Sequence, residues 1–108
     1  MGITKTNLFD DKQNELANLF KALGHPARIA ILQFLMTQNS CVCGSIVSEL
    51  KLAQATISQH LKVLKEVGVI QGTIEGTSLC YCINPEKFKH LEVFLSTVYD
   101  NSKTICCE

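Results

Sequence analysis

The chain has 108 residues, of which 46% are hydrophobic and 19% charged, a balance typical of one globular domain over residues 1–108. Ten basic residues match ten acidic ones, so the net charge gives no support for a nucleic-acid partner, which would need a local basic patch. No apolar run approaches the roughly 18–20 residues of a membrane span, and no secretory signal opens the sequence. We therefore expect a cytoplasmic protein without a membrane segment.

The first third of the sequence predicts two helices. Residues 1–7 are polar and predict a loose arm. Apolar side chains at 16, 19, 20 and 23 recur at helical spacing, which predicts an amphipathic helix that ends at Gly24. Pro26 suits the first turn of a second helix that runs to about Thr37. This second helix is apolar nearly all round, which predicts a buried element.

The middle of the chain predicts a short helix followed by a longer one. The apolar residues within 44–50 form one narrow stripe, enough for a two-turn helix. In the helix that follows, Ile57, Leu61 and Leu64 share one face, and Gly68 is a stop signal. The other sides of this longer helix carry polar side chains.

The last third predicts a hairpin and a final helix. Segments 69–74 and 79–83 have the pattern of two strands around a turn. Asn84 and Pro85 suit the cap and the first position of a helix. We expect a loose, cysteine-bearing tail over 101–108. The apolar stripe of the final helix is formed by Phe88, Leu91, Leu95 and Val98, and is widened by Phe94 and Tyr99.

This order of elements predicts a winged helix-turn-helix, a mainly α (α+β) fold with five helices and a β-hairpin wing. In this motif the second helix of the pair enters the major groove of DNA. The side chains there that can reach base edges or phosphates are Gln54, Thr56, Ser58, Gln59, His60 and Lys62. Two alternatives stay open: the polar face is an ordinary solvated one, or His60 packs inside the motif instead of touching DNA.

Six cysteines form three pairs, and no CxxC motif of the thioredoxin or zinc-ribbon type is present. In a reducing compartment, clustered cysteines more often bind metals or sense redox state than form stable disulfides. The pairs are Cys41/Cys43, Cys80/Cys82 and Cys106/Cys107. Cys80 and Cys82 share one face of a strand, and we interpret them as structural residues of a strand that packs on the core.

The pair Cys41 and Cys43 stands before a predicted helix, whose N-terminus would lower the thiol pKa values and favour thiolates. Thiolates are soft ligands that select soft ions. The alternatives are two buried small side chains, half of a disulfide, or a redox pair. Cys106 and Cys107 form a vicinal dithiol that could chelate a soft ion, or they are incidental thiols of a tail.

Three segments, LFKALGHPARIAILQFL, CVCGSIVSELKLAQATISQHLKVLKEVGVI and the hairpin ending in NPE, resemble the ArsR/SmtB family of winged-helix metalloregulatory repressors over residues 14–99. The resemblance implies a homodimer built on the first and last helices, which binds operator DNA. Two-fold symmetry then predicts an imperfect inverted repeat. CVC is similar to the thiol site of the arsenite- and cadmium-type members of the family.

The resemblance implies that Cys41 and Cys43 bind the inducer, As(III) or Sb(III), with Cd(II) or Pb(II) as the alternative. Trivalent arsenic prefers three thiolates, and Cys106 and Cys107 are the candidates for the third. We therefore expect a DNA-binding repressor that a thiophilic ion releases from its operator. The main alternative is a thiol-redox or persulfide-sensing repressor of the same fold. An enzyme is disfavoured, since no Cys-His-Asp arrangement or redox CxxC can be found.

Overall fold

The computed structural model describes residues 8–38, 42–43, 52–75 and 78–104. The helices and strands within them, in chain order, are α1 (Asp11–Leu23), α2 (Pro26–Met36), β1 (Val42–Cys43), α3 (Gln54–Glu66), β2 (Ile70–Glu75), β3 (Ser78–Ile83) and α4 (Pro85–Thr104). Four of the five predicted helices are therefore present in the described residues. The fifth, predicted over 44–50, lies outside them.

Helix α1 begins at Asp11 and ends where the sequence predicts. Asp10 and Gln13 form a reciprocal cap. The backbone N–H of Gln13 donates to Asp10 Oδ1 at 2.7 Å, and the backbone N–H of Asp10 donates to Gln13 Oε1 at 3.0 Å. Such a cap satisfies two of the amides that have no partner inside the helix. Gly24 follows the last turn as its cap. The predicted end of the first helix is confirmed.

Helix α2 begins at Pro26, directly after His25, whose Nδ1 accepts a hydrogen bond from the Ala27 amide at 3.0 Å. Three of its side chains, Ile31, Leu32 and Leu35, are buried in the core. Ile29, however, is 41% exposed. The prediction of a helix buried on all sides is therefore wrong for one face, because α2 lies at the edge of the core and not at its centre.

Helix α3 packs on the core through Ile57, Leu61 and Leu64, all of which are buried as predicted. The helix ends before Gly68, which has a φ of 89°. Glycine adopts this left-handed conformation without the steric penalty that a side chain would bring. The chain therefore turns sharply from α3 into β2, which fixes the wing relative to the helix.

The three strands form an antiparallel sheet with β3 in the middle, between β1 and β2. The predicted hairpin is confirmed within one residue at each strand. At Gly72 the φ is 133°, and a Cβ atom there would lie 2.8 Å from the Tyr81 Cα on β3. Only glycine allows β2 and β3 to approach so closely. Strand β1 is not predicted by the sequence, because two residues are too short to show an alternating pattern.

Helix α4 begins at a cap that also holds the wing. Asn84 Oδ1 accepts from the Glu86 amide at 3.2 Å, and Asn84 Nδ2 donates to the Gly68 carbonyl at 2.9 Å. The predicted cap is thus confirmed. The helix continues to Thr104, so residues 101–104 are helical, and the predicted tail begins too early. No helix in the described ranges is long and apolar enough to cross a lipid bilayer.

Two side-chain contacts to Glu15 join α4 to α1. Lys87 Nζ lies 3.0 Å from Glu15 Oε2, and His90 Nδ1 lies 3.4 Å from the same oxygen. The hydrogen bond and the positive charge of Lys87 lower the pKa of Glu15 below its usual value. Because the contact lies at the surface and is only partly buried, it orients the two helices more than it stabilises them.

The core draws on every helix and on the wing, but the apolar stripe predicted for α4 is mostly outside it. Leu91 is buried, whereas Leu95 and Val98 are 51% and 49% exposed. Phe94 and Tyr99 are exposed as well. Among the described residues, the stripe joins the core through Phe88 and Leu91, which lie in the first two turns of α4. The rest of it remains an uncovered apolar surface.

Candidate nucleic-acid interface

Helix α3 presents a polar face opposite to its buried stripe. Thr56, Gln59 and Lys62 are exposed, and Ser58 is half-buried. Because Ile57, Leu61 and Leu64 fix the rotation of the helix in the core, the polar side chains point away from the protein. Gln54 is the first residue of the helix, but its side chain lies outside the described part. Donors and acceptors of this kind suit base edges and phosphates.

A shallow depression of about 320 Å³ runs beside this face, between α3 and the start of α2. Its lining combines hydroxyl, amide, imidazole and guanidinium groups with small apolar side chains. The lining residues are Arg28, Ala55, Thr56, Gln59, His60 and Val63. The depression thus continues the polar face of α3 toward the only arginine of the chain.

His60 is held inside the motif. Its Nδ1 accepts a hydrogen bond from Arg28 Nε at 3.3 Å, and its ring centroid lies 4.5 Å from that of His25. Burial lowers the pKa of His60, and the neighbouring charges of His25 and Arg28 lower it further. The imidazole is therefore neutral at neutral pH, with its proton on Nε2. This geometry agrees with a packing role between α2 and α3 better than with a base contact.

Arg28 is the residue of this region that sequence reasoning missed. Its Nη1 donates to the Ala22 carbonyl at 2.9 Å, while its Nε donates to His60. The side chain thereby links the end of α1, the first turn of α2 and the middle of α3. The sequence offers only one signal for it, namely that it is the single arginine.

The described thiol residues lie on β1 and β3. Cys43 is opposite Cys80 in the antiparallel register, and both Cys80 and Cys82 are disulfide-bonded. Tyr81 points into the core between them and is fully buried, whereas Cys80 is exposed. The strand turns Cys80 outward and Tyr81 inward, so the strand packs on the core through Tyr81, and the structural role of the two cysteines stays a prediction.

The other predicted ion ligands cannot be placed. Cys41, Cys106 and Cys107 lie outside the described residues, as does the side chain of Cys43. Within the described side chains, no group of three histidine, cysteine or acidic residues could hold a metal ion. The ion-binding role of Cys41 and Cys43 therefore stays a prediction.

Comparison with known proteins decides the class of this fold. The sequence profile of the arsR family of bacterial regulatory proteins matches residues 25–71, from the cap of α2 into β2. An uncharacterized HTH-type transcriptional regulator of Methanocaldococcus jannaschii is 42% identical over 82 residues, which cover 75% of this chain and 91% of that protein. The chain belongs to the ArsR family of transcriptional regulators.

Two other relatives of this ArsR-family chain agree with that assignment. The Biofilm growth-associated repressor of Xylella fastidiosa is 30% identical over 83% of this chain and 78% of its own length. The crystal structure of Rv0081 from Mycobacterium tuberculosis is 30% identical, with a TM-score of 0.59 over 88% of this chain and 96% of that one. The winged helix-turn-helix predicted from the sequence is thus a shared fold of these regulators.

Proposed function

We propose that this ArsR-family regulator is a homodimeric repressor whose α3 helices read an imperfect inverted repeat, and that a thiophilic ion releases it from that operator. The observation that carries the proposal is the two-sided character of α3. Its buried stripe fixes the helix, and its exposed face carries the side chains that suit base contacts. The Xylella relative is a repressor by name, which supports the direction of regulation.

The uncovered apolar surface of α1 and α4 supports the dimer. Phe20 on α1 and Phe94 on α4 meet edge to face, with ring centroids 5.9 Å apart, and both remain exposed. Val93, Leu95 and Val98, in the middle of α4, are exposed as well. Contiguous exposed apolar side chains of this kind mark an interaction surface. A second copy would cover it and set the two α3 helices at a fixed spacing, as an inverted repeat requires.

The inducer proposed is As(III) or Sb(III), bound by thiolates of Cys41 and Cys43, with Cd(II) or Pb(II) as the alternative. Thiolates suit such soft ions, whereas carboxylate or imidazole sites suit harder ones. The strand position of Cys43, just before the segment that leads into α3, supports a link between the thiols and the DNA-reading helix.

DNA reading is tested with two substitutions on the polar face of α3. Gln59→Ala is expected to weaken operator binding by about 1–3 kcal/mol and to relax specificity at one base pair, because a bidentate base contact is lost. Lys62→Ala is expected to weaken binding to operator and to unrelated DNA by similar factors, because a phosphate contact carries no sequence information. Gln33→Ala, on an exposed position of α2, serves as the matched control.

Release is tested by a gel shift on the DNA upstream of the chain's own coding region, titrated with arsenite, antimonite, cadmium, lead and zinc. The Cys41→Ser/Cys43→Ser variant is expected to bind the same DNA and to ignore the ions that release the unmodified protein. If this double variant is still released by arsenite, the assignment of the thiol pair is wrong. If the unmodified protein binds no operator at all, the proposed repressor function is wrong.

A second candidate is a thiol-redox or persulfide-sensing repressor of the same fold. The disulfide-bonded state of Cys80 and Cys82 favours it, because each of these cysteines has another sulfur within bonding distance. Mass spectrometry after peroxide or polysulfide treatment separates the two candidates. A sulfur bridge that releases DNA supports redox sensing, whereas retained arsenic that releases DNA supports ion sensing.

A further inference from the structure

Strand β3 carries two cysteines, Cys80 and Cys82, on its outer face. Successive side chains of a strand point to opposite faces, so Cys80 and Cys82 lie on one face of β3 and Tyr81 lies on the other. Cys80 is exposed and Cys82 is half-buried. Because both are disulfide-bonded, each already has another sulfur within bonding distance. Thiols so arranged are close enough to share one ion once they are reduced.

Strand β1 brings Cys43 to this face of the sheet. Cys43 is the direct partner of Cys80 across the two antiparallel strands. Directly opposed residues have Cα atoms about 4.5–5.5 Å apart, which lies within the range of about 4.4–6.8 Å that a disulfide spans. On its other side, across β2, Cys80 is opposite Thr73, which has no sulfur.

A bridge between Cys80 and Cys82 themselves is less suitable. Two residues along a strand are about 6.6 Å apart, close to the upper limit for a disulfide. Of the residues whose backbone the structure describes, Cys43 is therefore the best placed sulfur partner for Cys80. The register thus connects the thiol pair predicted as the inducer site to the wing.

We propose that β3 supplies the third thiolate of the inducer site, through Cys80 opposite Cys43, with Cys82 as the next thiol on the same face. This inference rests on the proposed function, because it completes the ligand set of the same site. It replaces the expectation that Cys106 or Cys107 provides the missing ligand. The three thiols exchange their protons for three As–S bonds, arsenous acid loses its three hydroxyl groups as water, and no electron is transferred.

The disulfide and the ion-bound form exclude each other, because both use the same sulfur atoms. A disulfide takes up two electrons and two protons from a reductant such as a low-molecular-weight thiol, which becomes a disulfide itself, and two cysteine thiols are restored. Only this reduced form can bind the ion. Oxidised protein is therefore expected to bind no arsenite until it is reduced.

An ion held between β1 and β3 would act on α3 from both sides. Strand β1 precedes α3 in the chain, while β2 follows it after Gly68 and pairs with β3. Helix α3 also packs directly against β2. An ion that joins β1 to β3 thus fixes the segment before α3 relative to the wing that follows α3. A ligand can shift DNA affinity only by binding the two arrangements differently, and this site spans the elements that would differ.

The test uses the full chain, reduced with a phosphine that is then removed without air, and arsenite as the probe. Arsenite affinity is measured by the absorption of the As–S bonds, and retained arsenic per chain by elemental analysis after gel filtration. Loss of an outer partner of a metal ligand costs roughly 10–100-fold in affinity, so Cys80→Ser/Cys82→Ser, which removes a ligand, is expected to cost at least about 100-fold. Cys106→Ser/Cys107→Ser is expected to keep the affinity of the unmodified protein.

The possible outcomes are distinct. If the β3 variant keeps full affinity, or the tail variant loses it, the assignment to β3 is wrong while the proposed inducer stands. If the unmodified chain retains no arsenic, the proposed inducer itself is wrong. Operator binding by the β3 variant without arsenite shows that it is folded, and the single variant Cys80→Ser, at an exposed position, repeats the measurement with less change to the wing.

Peptide mapping gives an independent measurement of the register. Trypsin separates residues 29–51, 66–87 and 104–108, so each cysteine pair falls in its own peptide. After mild oxidation, peptide 29–51 is expected to be joined to peptide 66–87, with fragment spectra that place one bridge at Cys43 and Cys80. A dominant bridge between 66–87 and 104–108 would contradict the proposed site.

Discussion

Arg28 connects three helices, and replacing it with methionine tests whether this connection positions α3. Methionine keeps an apolar stem of similar length but removes the donors to the Ala22 carbonyl and to His60 Nδ1, which lie at 2.9 Å and 3.3 Å. A hydrogen bond from a charged donor contributes about 1.5–3 kcal/mol when buried. Because Arg28 is half-buried and one contact is long, we expect about 1 kcal/mol from each.

The free energy of unfolding should therefore fall by about 2 kcal/mol, or roughly 30-fold in the unfolding equilibrium constant. Urea unfolding followed by far-UV circular dichroism, at one fixed protein concentration, measures this change. The positive charge of Arg28 also lowers the pKa of His60, so Arg28→Met should raise that pKa in an NMR titration of the histidine ring protons.

The control for Arg28→Met is Lys62→Met, which removes an exposed cation from α3. Surface changes of this kind usually alter stability by no more than about 0.5 kcal/mol. If Arg28→Met unfolds at the same urea concentration as the unmodified protein and leaves the His60 pKa in place, the contact between α2 and α3 is absent in solution.

Three further predictions follow from the wing, the buried imidazole and the uncovered helix face. Gly72→Ala should lower the free energy of unfolding in urea by at least about 2 kcal/mol, because its Cβ would meet the Cys80 carbonyl and its φ of 133° suits only glycine. The control Gly24→Ala, whose Cβ would have its nearest contact at 3.4 Å, should cost less than about 1 kcal/mol in the same assay. Because the pKa of His60 is lowered on folding, the unfolded chain binds more protons below about pH 6.5, so the urea midpoint should fall on acidification from that pH; a His60→Gln variant with the same slope would contradict this. If the proposed dimer forms through α4, Val98→Glu should yield a monomer in light scattering, whereas Lys89→Glu, on the opposite side of α4, should stay dimeric.

The sequence predicts the elements whose signals are local. The stripe of Ile57, Leu61 and Leu64, the stop at Gly68 and the cap at Asn84 depend on neighbours within one or two turns, and all three are confirmed. The family likewise follows from a continuous segment, 25–71.

The contacts that the sequence does not predict are those between distant residues. Strand β1 forms only because Val42 and Cys43 pair with β3, nearly forty residues later. The contact of Arg28 with His60 likewise joins α2 to α3, and no spacing rule announces it. The exposure of the α4 stripe depends on how far that helix extends beyond the core. Periodicity gives the apolar face of a helix but not what covers it.

The hydrogen bonds of Asn84 at the base of the wing affect how this protein can diversify. Asn84 joins both ends of the hairpin, since its side-chain Nδ2 donates to the Gly68 carbonyl and its backbone N–H donates to the Val69 carbonyl, each at 2.9 Å. Because both ends of the hairpin are held, the outer half of β2 and β3 can gain or lose residues without moving α3 or α4. Exposed loop tips accept such insertions most readily. The length of the wing can therefore evolve independently of α3, the helix proposed to read the bases.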